Sequence, residues 1–461
     1  MSMLSVEKIG GTSMTRFPEI IENIILWDKQ NIFNRIYVVS AYGGITNDLL
    51  EHKKTGQPGV YSEFAAHKED FSLAMRNLKE KLCAINAQYK DAGLDIDKAD
   101  KFISQRIDSA LSYLLSMYAV QNSGYVRRQE LLLAARELLA CIGETHSAYN
   151  SMLMLQAKGY NSTVIDLSGW DDRRQLTIDE RIADSFKNVN PSKTICFVTG
   201  YAKGTEGIMR EFDRGYSEVT FSKIAVQLKA NEAIIHKEFH LCSGDPNIMG
   251  EQNVRPVCNT NYDVADQLAD VGMEAIHPKA SKPLEQAGIP IRVKNAFDPK
   301  HTGTLITKEF ISPESRTEIV TGSDSLIDLV IHDTSMVGEV GFDLSIMQLF
   351  KEHKISYVSK ATNANTIAMT INEQDCTEEL LNSLKTKFES VTTNPVAVVC
   401  AIGSNIAKPG ILAQATSGLA NANVNILAVV QTSRQTNMQF IVSRTQFKDA
   451  QKALHRALCE N

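Results

Sequence analysis

The sequence predicts an α/β protein: a parallel sheet sandwiched between helices (αβα), followed by two small α+β units in tandem. Three observations carry that expectation. Short, near-continuous apolar runs alternate with helix-length stretches through the first two-thirds of the chain, as happens when both faces of a sheet are covered. Two of these runs end in glycine pairs, Gly10-Gly11 and Gly43-Gly44, at the strand ends where open α/β sheets bind ligands. Beyond a polar stretch at 308–318, two similar βαββα patterns follow one another, an internal repeat of about 65 residues.

Taken in order, strands are expected at 6–9, 36–41, 163–167, 195–199, 233–236 and 289–295. A helical region, roughly 62–159, separates the second strand from the third. Within it Phe71, Met75, Leu78, Leu82, Ile85 and Tyr89 mark one helix face, and Ile103, Ile107, Leu111, Leu114 and Tyr118 mark another. The first domain is therefore drawn over 1–307 and a linker with Pro313 over 308–318. The repeats follow over 319–392 and 393–461, with the first repeat's leading strand at 328–331 and the second's at 396–402.

Composition agrees with several globular domains. The 461 residues exceed one ordinary core, and 43% hydrophobic with 22% charged residues excludes a disordered or fibrous chain. Lys and Arg number 48 against 54 Asp and Glu, a net charge of −6 with no long basic run, which argues against nucleic-acid and anionic-membrane partners. No window approaches the ~20 apolar residues of a membrane span, so a cytoplasmic location is expected. Eight cysteines without a CxxC pair read as reduced thiols.

Chemistry is concentrated in a few segments. Lys8-Ile9-Gly10-Gly11-Thr12-Ser13 places a cation and close-approaching backbone N–H groups at a strand end, a composition suited to phosphate; no GxxxxGK[ST] is present. Ser40-Ala-Tyr-Gly-Gly-Ile-Thr46-Asn47 is a second such turn. Gly143-Glu144 closes an amphipathic stretch, and Arg214 beside Gly215 offers a guanidinium fork for a carboxylate. His236 and His240 stand four apart but follow a strand, so no metal ligand is assigned.

In this order these segments resemble the aspartokinase family. Lys8-Ile-Gly-Gly-Thr-Ser matches its N-terminal signature. The 40–47 turn, Gly143-Glu144, Arg214-Gly215 with Ser217, Gly272 to Pro278 and the Gly303-Thr-Leu-Ile306 end match in sequence and spacing, and the tandem units look like its ACT domains. The resemblance implies an amino-acid-kinase sandwich followed by paired ACT-like domains. The replacements at 210–221 and 236–241 are similar to a branch associated with ectoine synthesis. Family contacts with adenosine are altered at Lys237 and Cys242, and Glu274 stands where many members carry lysine.

What the resemblance implies is transfer of the ATP γ-phosphoryl group, with Mg²⁺, to the side-chain carboxylate of L-aspartate. The product would enter the aspartate-family amino-acid pathway or ectoine synthesis. Lys8 and Glu218 would be catalytic. Lys8, Gly10, Gly11, Thr12, Ser13 and Ser40 would bind phosphate. Thr46, Glu144, Tyr201, Arg214 and Ser217 would bind aspartate, and His236, Lys237, Cys242 and Asp245 the nucleotide. ACT units imply a homodimer or larger homo-oligomer and an effector such as lysine or threonine. Two other readings stay open: a kinase of another small acidic amino acid, and a non-catalytic amino-acid sensor. Lys8, Glu144 and Arg214 together argue against the second.

Overall fold

A computed structural model describes residues 3–53, 55–68, 70–212, 215–271, 273 and 275–460. Strands run in chain order as β1 (Ser5–Ile9), β2 (Arg35–Val39), β3 (Ser162–Ile165), β4 (Ile195–Thr199), β5 (Glu232–Lys237), β6 (Asn259–Asn261) and β7 (Ile291–Asn295). They continue as β8 (Thr304–Thr307), β9 (Ile319–His332), β10 (Tyr357–Thr362), β11 (Thr366–Asn372), β12 (Ser390–Ile402), β13 (Ile426–Gln431) and β14 (Asn437–Ser443). The chain divides into two compact units, 1–240 with 276–303, and 241–275 with 304–461.

In the first unit the strands lie in the order β3-β4-β2-β1-β5-β7, each pair parallel. β4 is buried along its whole length and β2 along four of its five residues, which is why their sequences are nearly unbroken runs of Ile, Val and Phe. β1, at the centre, carries one charge into this interior. The Glu7 carboxylate accepts two bonds from Arg35, at 2.5 and 2.9 Å, and lies 2.7 Å from Nε2 of His236 on β5. Burial opposes its ionisation, but Arg35 and His236 hold Glu7 far below the ordinary carboxylate range.

The helical region forms as the two apolar stripes predict. Helices Phe71–Gln88, Ile96–Ser123 and Arg128–Ala157 bury Phe71, Met75, Leu78 and Leu82 from one stripe and Ile103, Ile107 and Leu114 from the other. Tyr89 closes the first of these helices. Its hydroxyl donates to the Thr15 carbonyl at 2.8 Å and its ring packs 5.6 Å from that of Tyr42. The helices thus brace the two glycine turns.

In the second unit one antiparallel sheet has the order β10-β11-β9-β12-β14-β13. Here the structure departs from sequential repeats. β9 starts at Ile319 and pairs with β12 along its length, through an irregularity between Val396 and Val398. Val320 packs in the core of the second repeat, whereas Ile327, Leu329 and Ile331 pack in that of the first. The first stretch of β9 therefore serves the repeat read as 393–461. Residues 241–275, read as part of the first domain, group with this unit, and Met249 joins the second repeat's core. The stretch 308–318 is also more than a linker: Ser312, Thr317 and Glu318 are buried, and Glu318 accepts bonds from Thr260 (2.6 Å) and the Ser404 N–H (2.9 Å).

Among the described residues no helix is long and apolar enough to cross a membrane, and all eight cysteines are free thiols.

Replacing Glu7 by Ala leaves the buried Arg35 guanidinium without its carboxylate, with the Ile24 and Ile25 carbonyls as its remaining acceptors. Urea unfolding is expected to show the transition of the first unit destabilised by about 3–5 kcal/mol. A change within about 0.5 kcal/mol, the level of an ordinary surface substitution, would show that this charge cluster does not hold the sheet centre.

Candidate active site

The carboxyl ends of β1, β2, β4 and β5 converge on one edge of the parallel sheet, and each is followed by a turn bearing polar groups. Gly10 caps the short helix Gly11–Thr15 after β1. A side chain on Gly11 would put its Cβ 2.7 Å from the Ala41 carbonyl oxygen, so only glycine lets the two turns touch. The Gly43 N–H donates to Thr15 Oγ1 at 2.9 Å and fastens them.

Lys8 is next to last in β1, with its Nζ 3.3 Å from Glu218 Oε1, both side chains mostly buried. The other oxygen of Glu218 accepts the His277 N–H at 2.6 Å. Burial raises the Glu218 pKa, but Lys8, Lys237 and the His277 N–H together bring it below its ordinary value. Ser13 Oγ donates to Glu238 at 2.9 Å, just beyond β5.

Glu144 lies in helix Arg128–Ala157, within a run that is buried from Leu139 to Ala148. Its Oε1 accepts from Ser217 Oγ at 2.8 Å and the carboxylate also accepts the Tyr201 N–H, while Oε2 has no partner among the described residues. Burial dominates and pushes the carboxyl up to about 8, against the pull of Ser217, the Tyr201 N–H and Lys8. A Cβ on Gly200 would lie 2.8 Å from that of Ser217 and 3.0 Å from Glu144 Oε1, so glycine is required beside this carboxylate. Ser217 and Glu218 are neighbours in the first turn of helix Tyr216–Gln227. One turn therefore holds Glu144 with one residue and Lys8 with the next.

Of the residues singled out from sequence, Lys8, Gly10, Gly11, Ser13, Ser40, Thr46, Glu144, Tyr201, Ser217, Glu218 and Lys237 all lie at or next to this edge, and Thr12 is exposed on the same turn. The Ser40 carbonyl accepts from Ser147 Oγ at 2.8 Å, tying β2 to the helix of Glu144. Thr46 is half-buried in helix Ile45–Leu49, and the Tyr201 hydroxyl donates to Glu137 at 2.6 Å. His236 is placed otherwise than expected: its ring is buried and engaged with Glu7, so its side chain serves the sheet centre. Cys242 and Asp245 fall in the second unit, where Asp245 caps helix Pro246–Met249. Arg214, Gly272 and Glu274 lie outside the described residues. Sequence reasoning missed Glu238 and Gly200. Gly200 was findable, since it follows β4 as Gly10 follows β1; no spacing marks Glu238.

The amino acid kinase family profile matches residues 3–295, and that of the ACT domain matches 399–458. Aspartate kinase Ask_Ect of Stutzerimonas stutzeri (strain A1501) is 42% identical across 99% of this chain and 98% of its own length. The chain belongs to the aspartate kinase family. Aspartokinase 1, chloroplastic, of Arabidopsis thaliana is 27% identical over 99% of this chain and 80% of its length. In fold, this family member is similar to Clostridium acetobutylicum aspartate kinase, with TM-score 0.73, 18% identity and coverage of 98% and 100% of the two chains. It is also similar to E. coli aspartokinase III in complex with aspartate and ADP, with TM-score 0.70, 20% identity and coverage of 98% and 99%.

A difference infrared titration is expected to find the Glu144 carboxyl losing its proton near pH 8. Ser217→Ala removes a bond to the charged form and moves that midpoint upward. A midpoint in the ordinary carboxylate range, or one that Ser217→Ala leaves in place, would contradict the geometry.

Proposed function

We propose that the chain transfers the γ-phosphoryl group of ATP to the side-chain carboxylate of L-aspartate, giving 4-phospho-L-aspartate and ADP, as an aspartate kinase. The observation that carries this reading is the pair of adjacent anchors. Glu218 holds the phosphate-side lysine, and Ser217 holds a buried carboxylate suited to an amino acid's ammonium group. The end-to-end relationship with the Stutzerimonas enzyme supports the same reading and favours the branch that feeds ectoine synthesis.

The attacking atom belongs to the substrate. A side-chain carboxylate with a pKa of about 3.9 is ionised at neutral pH, so the protein has no proton to remove. Its task is to bring two anions together and hold them in line. Lys8, with the backbone N–H groups of Gly10 and Gly11, would neutralise charge on the transferring group, aided by Thr12, Ser13 and Ser40. Glu218 aims Lys8. Glu144 would receive the α-ammonium, Arg214 the α-carboxylate, and Thr46 and Tyr201 would bound the pocket. Lys237 would contact the nucleotide. Mg²⁺ would arrive with ATP and screen its phosphate oxygens. No protein ligand is assigned to it, since Mg²⁺ usually keeps several waters and binds through substrate phosphates.

In functional terms we assign catalysis to 1–307 and regulation to the sheet that begins at Ile319. Loops 338–342 and 405–410 are the proposed effector and dimer contacts. E. coli aspartokinase III in complex with lysine and aspartate shares the fold, with TM-score 0.72 at 20% identity over 99% and 100% of the chains. Lysine is accordingly the first effector to test, and threonine the second.

A coupled assay should show turnover with aspartate and little with glutamate or N-acetylglutamate, with acyl phosphate trapped by hydroxylamine. Lys8→Ala should lower kcat by about 10²–10³-fold while leaving the fold intact. Turnover with glutamate alone, or a normal rate in the variant, would refute the assignment.

The pH dependence has a definite sign. Protonated Glu144 cannot pair with ammonium, so the KM for aspartate should fall as pH rises and level off above about 8. Glu144→Gln should bind aspartate weakly at every pH. A flat wild-type profile would contradict this role.

A further inference from the structure

Behind Tyr201 lies an open-mouthed cavity of about 460 Å³, within the 300–1,000 Å³ typical of small-molecule sites. It opens between helices Ile96–Ser123 and Arg128–Ala157 and the loops after β3 and β4. Three rings, those of Tyr113, Trp170 and Tyr201, and the side chains of Leu133 and Leu138 form its walls. The Trp170 ring is fixed from one side by Arg106, whose guanidinium lies 4.2 Å from it and is itself held by Asp166 at 3.0 Å. Such walls suit a flat hydrocarbon body.

The polar groups around the cavity are mostly engaged. The Glu137 carboxylate accepts the Tyr201 hydroxyl at 2.6 Å and the Met209 N–H at 2.8 Å. Asp171 accepts from Tyr113 at 3.2 Å, and Lys203 donates to the carbonyls of Asp172 and Gly169 at 3.0 and 3.3 Å. Glu130 stands exposed at the rim. Arg210 differs, because its guanidinium donates to no described side chain and forms no ion pair among the described residues, although Glu137 is near enough to feel its charge. An exposed planar fork with no ion pair among the described residues, beside an aromatic slot, fits a carboxylate.

We propose that this cavity is a binding site for a monocarboxylate with a flat apolar body, and that its occupant acts on the aspartate site through Tyr201. The second half rests on the aspartate kinase reading, in which the far side of Tyr201 bounds the substrate. The first half does not.

The two halves have separate readouts. The chain holds two tryptophans, so Trp27→Phe leaves Trp170 as the sole indole, at the cost of a half-exposed ring. Titration with 3-phenylpropionate should give a saturable change in Trp170 emission, with a Kd between about 10 µM and 1 mM. Its neutral amide, or Arg210→Ala, should weaken binding about tenfold or more. Ala134→Phe, on an exposed position of the lining, should abolish it. With Trp27→Phe alone, 3-phenylpropionate should change the KM for aspartate by about fivefold or more. No saturation up to about 10 mM, or a response that Arg210→Ala and Ala134→Phe leave unaltered, would overturn the site. Saturable binding with an unmoved KM would overturn the coupling. Absence of any turnover would instead count against the kinase reading and leave the emission result standing.

Discussion

Burying a carboxylate without a cation of its own is the constraint on which this site depends. Glu144 has a neutral hydroxyl and a backbone N–H for partners, and its second oxygen has none among the described residues. Lys8, whose charge does reach it, is bonded to Glu218 instead. A carboxylate so placed is expensive to ionise, and it responds by keeping its proton. The position is therefore poised for the ammonium ligand proposed above, whose charge would favour the ionised form at neutral pH. A side chain used purely for packing would not be built this way.

The surroundings follow from that requirement. Placing Glu144 demands a helix buried on nearly all sides, which the long helices of the region between β2 and β3 make possible. It also demands close approach of the β4 turn, and Gly200 gives it. Linking it to Lys8 falls to Ser217 and Glu218, whose side chains reach different partners from one helical turn. Beneath them, the Glu7, Arg35 and His236 cluster ties β1, β2 and β5 together, so the strand ends that carry these groups share one rigid base.

Much of this was legible before any coordinates. Lys8 and the glycine turns are read from strand ends followed by glycine, because the conformation they require narrows the choice of residue. Glu144 and Ser217 came through family resemblance, since nothing local distinguishes a buried glutamate from a surface one. What escaped was long-range. The segment 319–325 carries Gly322, Ser323, Asp324 and Ser325, so it does not look like a strand, yet β12 pairs with it and Val320 anchors it in the second repeat's core. Residues 241–275 read as continuous with β5, and only their packing assigns them to the other unit. His236 sits in a segment that suggested nucleotide contact, but its buried ring, two register positions along β5 from the residue paired with Glu7, is committed to that glutamate.

The central claim is that aspartate binds by exchanging its ammonium group for the proton on Glu144. Calorimetric titration of aspartate near pH 7, repeated in buffers of different ionisation enthalpy, measures this directly. With the Glu144 carboxyl pushed up to about 8, wild type should release close to one proton on binding. Glu144→Gln should release almost none. Binding of aspartate without proton release by wild type, or equal release by both proteins, would contradict the account.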